Sequence, residues 1–177
     1  MYRHLDIYSP VISLIKDNIQ ILELSQDNKV KDLFRLCFAF LTAFARENHE
    51  NQLVLSNSIV VFQYNMHANL GHIKLLVEIF KNNLTLCTNQ VKLKEVIDNL
   101  VRIIMNTGRK AEYLDFFKAI QRVNGRVFFN NQKLVLDTFL DPATRKTLLY
   151  LATEEEVQEI ANNDPKDQKL RFSTIFG

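Results

Sequence analysis

Gln90-Val91-Lys92-Leu93-Lys94-Glu95-Val96-Ile97-Asp98-Asn99-Leu100-Val101-Arg102-Ile103-Ile104-Met105-Asn106 is the stretch whose pattern decides the fold class. Leu93, Val96, Ile97, Leu100, Val101 and Ile104 recur at i, i+3, i+4, i+7, i+8 and i+11. At about 3.6 residues per turn this stacks all six on one helix face, whereas a strand would scatter them over both sides of a sheet. Thr107-Gly108 supplies the stop, because glycine takes the left-handed backbone that commonly closes a helix. The spacing therefore predicts a helix over 90–106 with one wholly apolar face.

Toward the N-terminus, Ile73, Leu76, Val77 and Phe80 predict a helix over 72–82, set off by the break at Asn69-Leu70-Gly71. A weaker helix is expected over 52–64. From Lys31 to Arg46 the apolar residues Leu33, Phe34, Leu36, Cys37, Phe38, Phe40, Leu41, Ala43 and Phe44 fall on nearly every side of the axis. Such a segment reads as a central helix covered all round, the hub of the core. Ser9-Pro10 predicts the start of a first helix over 10–24, since Ser9 caps and Pro10 lacks only an amide that a first turn leaves unpaired.

On the other side, Tyr113, Phe117 and Ile120 predict a helix over 110–123, and two more are expected near 130–140 and 142–151. Asp141 before Pro142 reads as an N-cap, and Asp137 as part of a solvated face. Thr153-Glu154-Glu155-Glu156 is a capping box that opens a last helix. Residues 164–177 form a polar tail in which Phe172, Ile175 and Phe176 are available for docking.

Only 4 glycines and 3 prolines occur in 177 residues, too few for strands joined by tight turns. The expected fold is all-α, with at least seven helices and no sheet, an armadillo- or HEAT-like right-handed solenoid of about seven to nine helices over residues 1–163. Phe38, Leu41, Val96, Ile97, Leu100 and Ile104 are its predicted core. With no tryptophan present, the 13 phenylalanines read as core bulk rather than the lining of a ligand pocket.

Charge excludes several functions. A net +2 with interspersed Lys, Arg, Asp and Glu leaves no basic footprint for nucleic acid. The longest apolar stretch, Leu36 to Ala45 with Thr42 inside it, is about half the ~20 residues a bilayer span needs, so direct membrane insertion by this chain is not expected. Met1-Tyr2-Arg3-His4-Leu5 has none of the layout of a secretory leader, so the Asn83-Leu84-Thr85 sequon is given no role. His4, His49, His67 and His72 make no ligand spacing, and no glycine-rich phosphate cradle exists; no metal and no cofactor are expected. Cys37 and Cys87 sit among apolar neighbours, which predicts reduced, buried and inert thiols and no catalytic nucleophile. The chain reads as a non-enzyme.

Three segments carry a resemblance. Phe34-Arg35-Leu36-Cys37-Phe38-Ala39-Phe40-Leu41 resembles the Arg-Leu-Cys helix of the armadillo-like homology domain, the RIH domain, of ryanodine and inositol trisphosphate receptors. Arg109-Lys110-Ala111-Glu112-Tyr113-Leu114-Asp115-Phe116-Phe117 resembles its basic turn and following Leu-Asp-aromatic helix. Asn131-Gln132-Lys133-Leu134-Val135-Leu136 with Leu140-Asp141-Pro142 resembles its amide-led helix and exit, and order and spacing agree over about residues 5 to 150.

The resemblance implies a piece of the cytosolic part of a large tetrameric calcium-release channel at the endoplasmic reticulum or a related store. Its partners are then neighbouring domains or subunits of that channel. It also implies a ligand position for inositol trisphosphate, built in the family from a Tyr-Arg-Lys triplet and an upstream basic cluster. Here the triplet reads Asn48-His49-Glu50, and of the cluster only Arg3 corresponds. An amide, an imidazole and a carboxylate in place of two cations and an aromatic remove the charge-assisted bonds that hold phosphate, so inositol trisphosphate binding is not expected. A stand-alone armadillo-like adaptor that binds a peptide or helix is the competing reading.

Overall fold

The computed structural model describes residues 6–24, 27–108 and 110–148. Its helices in order are α1 (Tyr8–Asp17), α2 (Ile19–Leu24), α3 (Asn28–Ala45), α4 (His49–Leu55), α5 (Ile59–Gln63), α6 (His72–Phe80), α7 (Leu84–Thr88), α8 (Gln90–Thr107), α9 (Ala111–Gln121), α10 (Phe129–Leu140) and α11 (Arg145–Leu148). Two short 3-10 turns, Ser56–Ser58 and Met66–Ala68, flank α5. The chain is an all-α helical solenoid whose single core runs from Ile15 to Val135.

The deciding stretch folds as its pattern requires. In α8 Leu93, Val96, Ile97, Leu100, Val101 and Ile104 are all buried, Asn89 caps its start through Lys92 N, and Gly108 closes it at φ 87° with its N–H on Ile104 O. Phe38 and Leu41 of α3 are buried too. Tyr113, Phe117 and Ile120 of α9 join them. Edge-to-face rings Phe80–Phe116, Phe116–Phe117 and Phe117–Phe139, with centroids 5.5, 5.9 and 5.0 Å apart, carry the core from α6 through α9 to α10.

Several expectations need correction. The hub is α6, which packs against α3 and α9 on its flanks and against α4 and α5 as well. Six of its nine residues are buried. By contrast α3 buries five of 18 and leaves Leu33, Leu36 and Phe40 exposed along one stripe, so it is not enclosed. The first helix begins at Tyr8, after Ile7 rather than at a Ser9 cap, and no side chain caps it. It breaks at Asn18, whose Nδ2 donates to Leu14 O at 2.9 Å. The expected helix over 52–64 is split at Ser56–Ser58, and α7, capped by Asn83 through Leu86 N, had no periodic signal.

The absence of any sheet is also corrected. Strands β1 (Arg122–Val123) and β2 (Arg126–Val127) pair antiparallel, Arg122 with Val127 and Val123 with Arg126. Asn124 and Gly125 join them with φ 49° and 78°, the doubly left-handed turn that Asn-Gly favours between twisted strands. Asn124 N donates to Asn82 Oδ1 at 2.9 Å, which pins this tip to the α6–α7 turn. Asp141 does cap the approach to α11, its Oδ1 accepting from Ala143 N at 2.8 Å. Asp137 faces solvent beside Lys133. The capping box at Thr153 and the tail over 164–177 lie outside the described residues.

Candidate functional site

The Asn48-His49-Glu50 triplet is the turn between α3 and α4, and local hydrogen bonding accounts for it. After α3 closes with Arg46 N on Ala43 O, Glu47 turns left-handed at φ 53°. Asn48 is extended, and its Oδ1 accepts from Asn51 N at 3.1 Å, capping α4. Asn51 Nδ2 then reaches back to Phe44 O at 2.7 Å. Glu50 stands in the first turn of α4, where a negative charge suits the positive end of the helix dipole. All three triplet side chains are exposed, and Arg3 lies outside the described residues. The structure thus brings Asn48, His49 and Glu50 onto one turn, with Asn48 committed to capping.

This turn is anchored to the interior by amides that periodicity does not reveal. Gln52 Nε2 donates to Glu78 O at 2.8 Å and Lys81 O at 3.2 Å, while its Oε1 accepts from Asn83 Nδ2 at 2.9 Å. Asn83 Nδ2 also reaches His49 O at 3.2 Å, so the triplet turn is fastened to the end of α6. A buried Asn83 with its amide committed also leaves the sequon without an available acceptor. Gln63 does the same between α5 and α8, donating to Val96 O at 2.9 Å and accepting from Asn99 at 3.1 Å. Asn131, fully buried, donates to Cys87 O at 2.9 Å and Ile120 O at 2.7 Å and accepts from Gln90 at 2.7 Å. Gln52 and Asn131 satisfy carbonyls left over at helix ends and Asn83 caps α7, whereas Gln63 adds a bond to Val96 O within α8.

Beside the triplet, α3, α6 and α9 lie in order, and their outward faces form two adjoining hollows of about 420 and 610 Å³. The hollows share Thr42, Arg46, Ile73, Lys74 and Glu112, so they make one groove. Its floor is apolar, from Ile73, Val77 and Ala119; its rims carry Arg46, Lys74, Lys81, Lys118 and Arg122 together with Glu78, Glu112 and Asp115.

The titratable groups elsewhere have structural settings. Cys37 and Cys87 are buried and unbridged, as expected. Burial pushes the Cys87 thiol up to about 11, and its Sγ donates to Phe80 O at 3.3 Å. Burial also raises Cys37, against a smaller opposing effect of a backbone hydrogen bond. Lys92 is lowered by burial, partly offset by Glu95, and donates to Ser56 Oγ at 2.9 Å; Ser56 in turn donates to Leu53 O at 2.6 Å. His72 is buried with its ring 4.1 Å from that of Phe38. Among the described residues no three metal-binding side chains come together, and no helix is long and apolar enough to cross a membrane.

An all-α helical solenoid of this order is the architecture of an armadillo-like domain. The RIH-domain family model matches residues 2–154, and the chain belongs to that family. Over 163 residues it is 31% identical to inositol 1,4,5-trisphosphate receptor-like protein A of Dictyostelium discoideum, a match that takes in 86% of this chain and spans 5% of that relative's length.

Proposed function

We propose that this chain is a non-enzymatic scaffold that passes ligand-driven motion between neighbouring domains or subunits of an intracellular calcium-release channel. It works on the cytosolic face of the endoplasmic reticulum or a related store membrane, without a competent inositol trisphosphate site of its own. The observation that carries the reading is the family match over residues 2–154. The amide joints agree with it: Gln52, Gln63, Asn83 and Asn131 bind one helix pair to the next through polar groups with fixed geometry, so a displacement at one end is passed on rather than absorbed. The ligand clause rests on the triplet. Asn48 is occupied as a cap, His49 puts an imidazole where the family has a guanidinium, and Glu50 repels phosphate. Loss of two charge-assisted hydrogen bonds at roughly 1.5–3 kcal/mol each lowers affinity by about two to four decades.

A chimera tests both clauses. With residues 2–154 replacing the RIH segment of an inositol trisphosphate receptor, ligand-evoked calcium release should be lost. Adding Asn48→Tyr, His49→Arg and Glu50→Lys, together with the receptor's own upstream basic cluster in place of the segment around Arg3, should restore it. Silence of the restored chimera, folded and membrane-inserted, would remove the scaffold clause; full response of the unrestored one would remove the ligand clause. The adaptor reading is the second, favoured by the groove along α3, α6 and α9.

A further inference from the structure

Arg46, Lys74, Lys81, Lys118 and Arg122 share the groove of α3, α6 and α9, and none of the five forms an ion pair among the described residues. Of the surface pairs that do form, Arg35 with Asp32 stands at the edge of the smaller hollow, and Lys94 with Asp98 and Lys133 with Asp137 lie outside the groove. Lys74 and Lys81 are two turns apart on and just after α6, about 10 Å along its axis. Lys118 and Arg122 are one turn apart along the opposite rim, and Arg46 closes the end nearest the triplet. Five cations stand against three carboxylates over an apolar floor.

We propose that this groove binds an acidic peptide segment of a neighbouring domain or subunit, in which carboxylates are spaced by aliphatic residues. The excess of cations sets the sign of the ligand, and a concave wall of low polarizability concentrates their field. The interleaved Glu78, Glu112 and Asp115 select against clustered phosphates, because a dense polyanion meets a carboxylate wherever it lies. A peptide with spaced acids places them on Lys74, Lys81 and Lys118 and lays its aliphatic side chains on Ile73, Val77 and Ala119. Neighbouring helices are 8–10 Å apart, so α3 to α9 spans about 20 Å, the reach of about six extended residues. The inference deepens the scaffold reading and rests on it for the partner being a neighbouring domain.

The test uses the 177-residue chain alone, so a chimera that fails to gate leaves its outcome untouched. Fluorescence anisotropy follows a fluorescein-labelled peptide of about eight residues in which glutamates alternate with leucine and serine. A control replaces every glutamate with glutamine, and inorganic tripolyphosphate serves as competitor. The acidic peptide should bind, weaken as salt rises, and outcompete the control at least about tenfold. Lys74→Glu with Lys118→Glu should lower affinity at least about tenfold, and Glu112→Gln should raise it about two- to threefold. Both lysines are exposed, so the melting temperature should hold; if it does not, Lys81→Gln with Arg122→Gln reads the same groove with a smaller loss. Equal binding of the glutamine control, indifference to both variant pairs, or displacement by tripolyphosphate at concentrations below the peptide's own would overturn the proposal.

Discussion

Helices α3 and α6 are both dense in apolar residues, yet α6 buries six of nine and α3 five of 18. The difference is not in local sequence. On α6, Ile73, Leu75, Leu76, Ile79 and Phe80 point in several directions and each finds a neighbour, because α3 and α9 flank the helix and α4 and α5 cover it further. On α3, Phe34, Cys37, Phe38, Leu41 and Ala45 are buried while Leu36 stays 68% exposed. Hydrophobicity thus shows that a helix has something to bury, while its rank in the stack determines how many of its sides are covered.

Truncation at the centre of α6 should have the largest effect on stability. Leu76→Ala should cost about 3 kcal/mol, through lost transfer energy and a cavity the flanking helices cannot close. At roughly 2–4 °C per kcal/mol for a chain of this size, calorimetry should show a melting temperature lower by about 10 °C. A change under about 1 kcal/mol would mean that α6 is not the hub.

The buried thiol at the α6–α7 junction gives the next largest effect. Cys87 is held neutral against the end of α6, its pKa about 11 against an ordinary 9.0. A folded-state pKa raised above the unfolded one contributes stability that is full below pH 9 and is lost as pH rises through 11, because only the unfolded thiol gains by ionising in between. The loss is on the order of 2 kcal/mol. Urea titrations of the parent and of Cys87→Ala from pH 8 to pH 11 should therefore converge, by about that amount, as the pH rises. Lys92, lowered by burial, contributes in the opposite sense but equally in both proteins, so the difference isolates the thiol. Parallel curves would count against a closed α6–α7 junction.

The smallest expected effect is on the open side of α3. Leu36→Ala should change stability by less than about 0.5 kcal/mol in the same denaturant assay. A cost near that of Leu76→Ala would show this stripe to be covered in solution.

Fold class, the positions of α8, α9 and α10, and the family were all legible in the residues, because 3.6-residue periodicity, glycine stops and motif order are local properties of the chain. Residue identity also shows that the triplet lacks two cations, since charge is written in the sequence. The hairpin was legible in Asn124-Gly125, but two-residue strands are too short to alternate visibly beside helical neighbours. Tertiary structure alone decided that α6 and not α3 is enclosed, and that Gln52, Gln63, Asn83 and Asn131 sit inside. It also put Arg46, Lys74, Lys81, Lys118 and Arg122 around one groove. Those facts depend on which helix lies beside which, and residues 46 to 122 meet only because three helices distant in sequence stack in order.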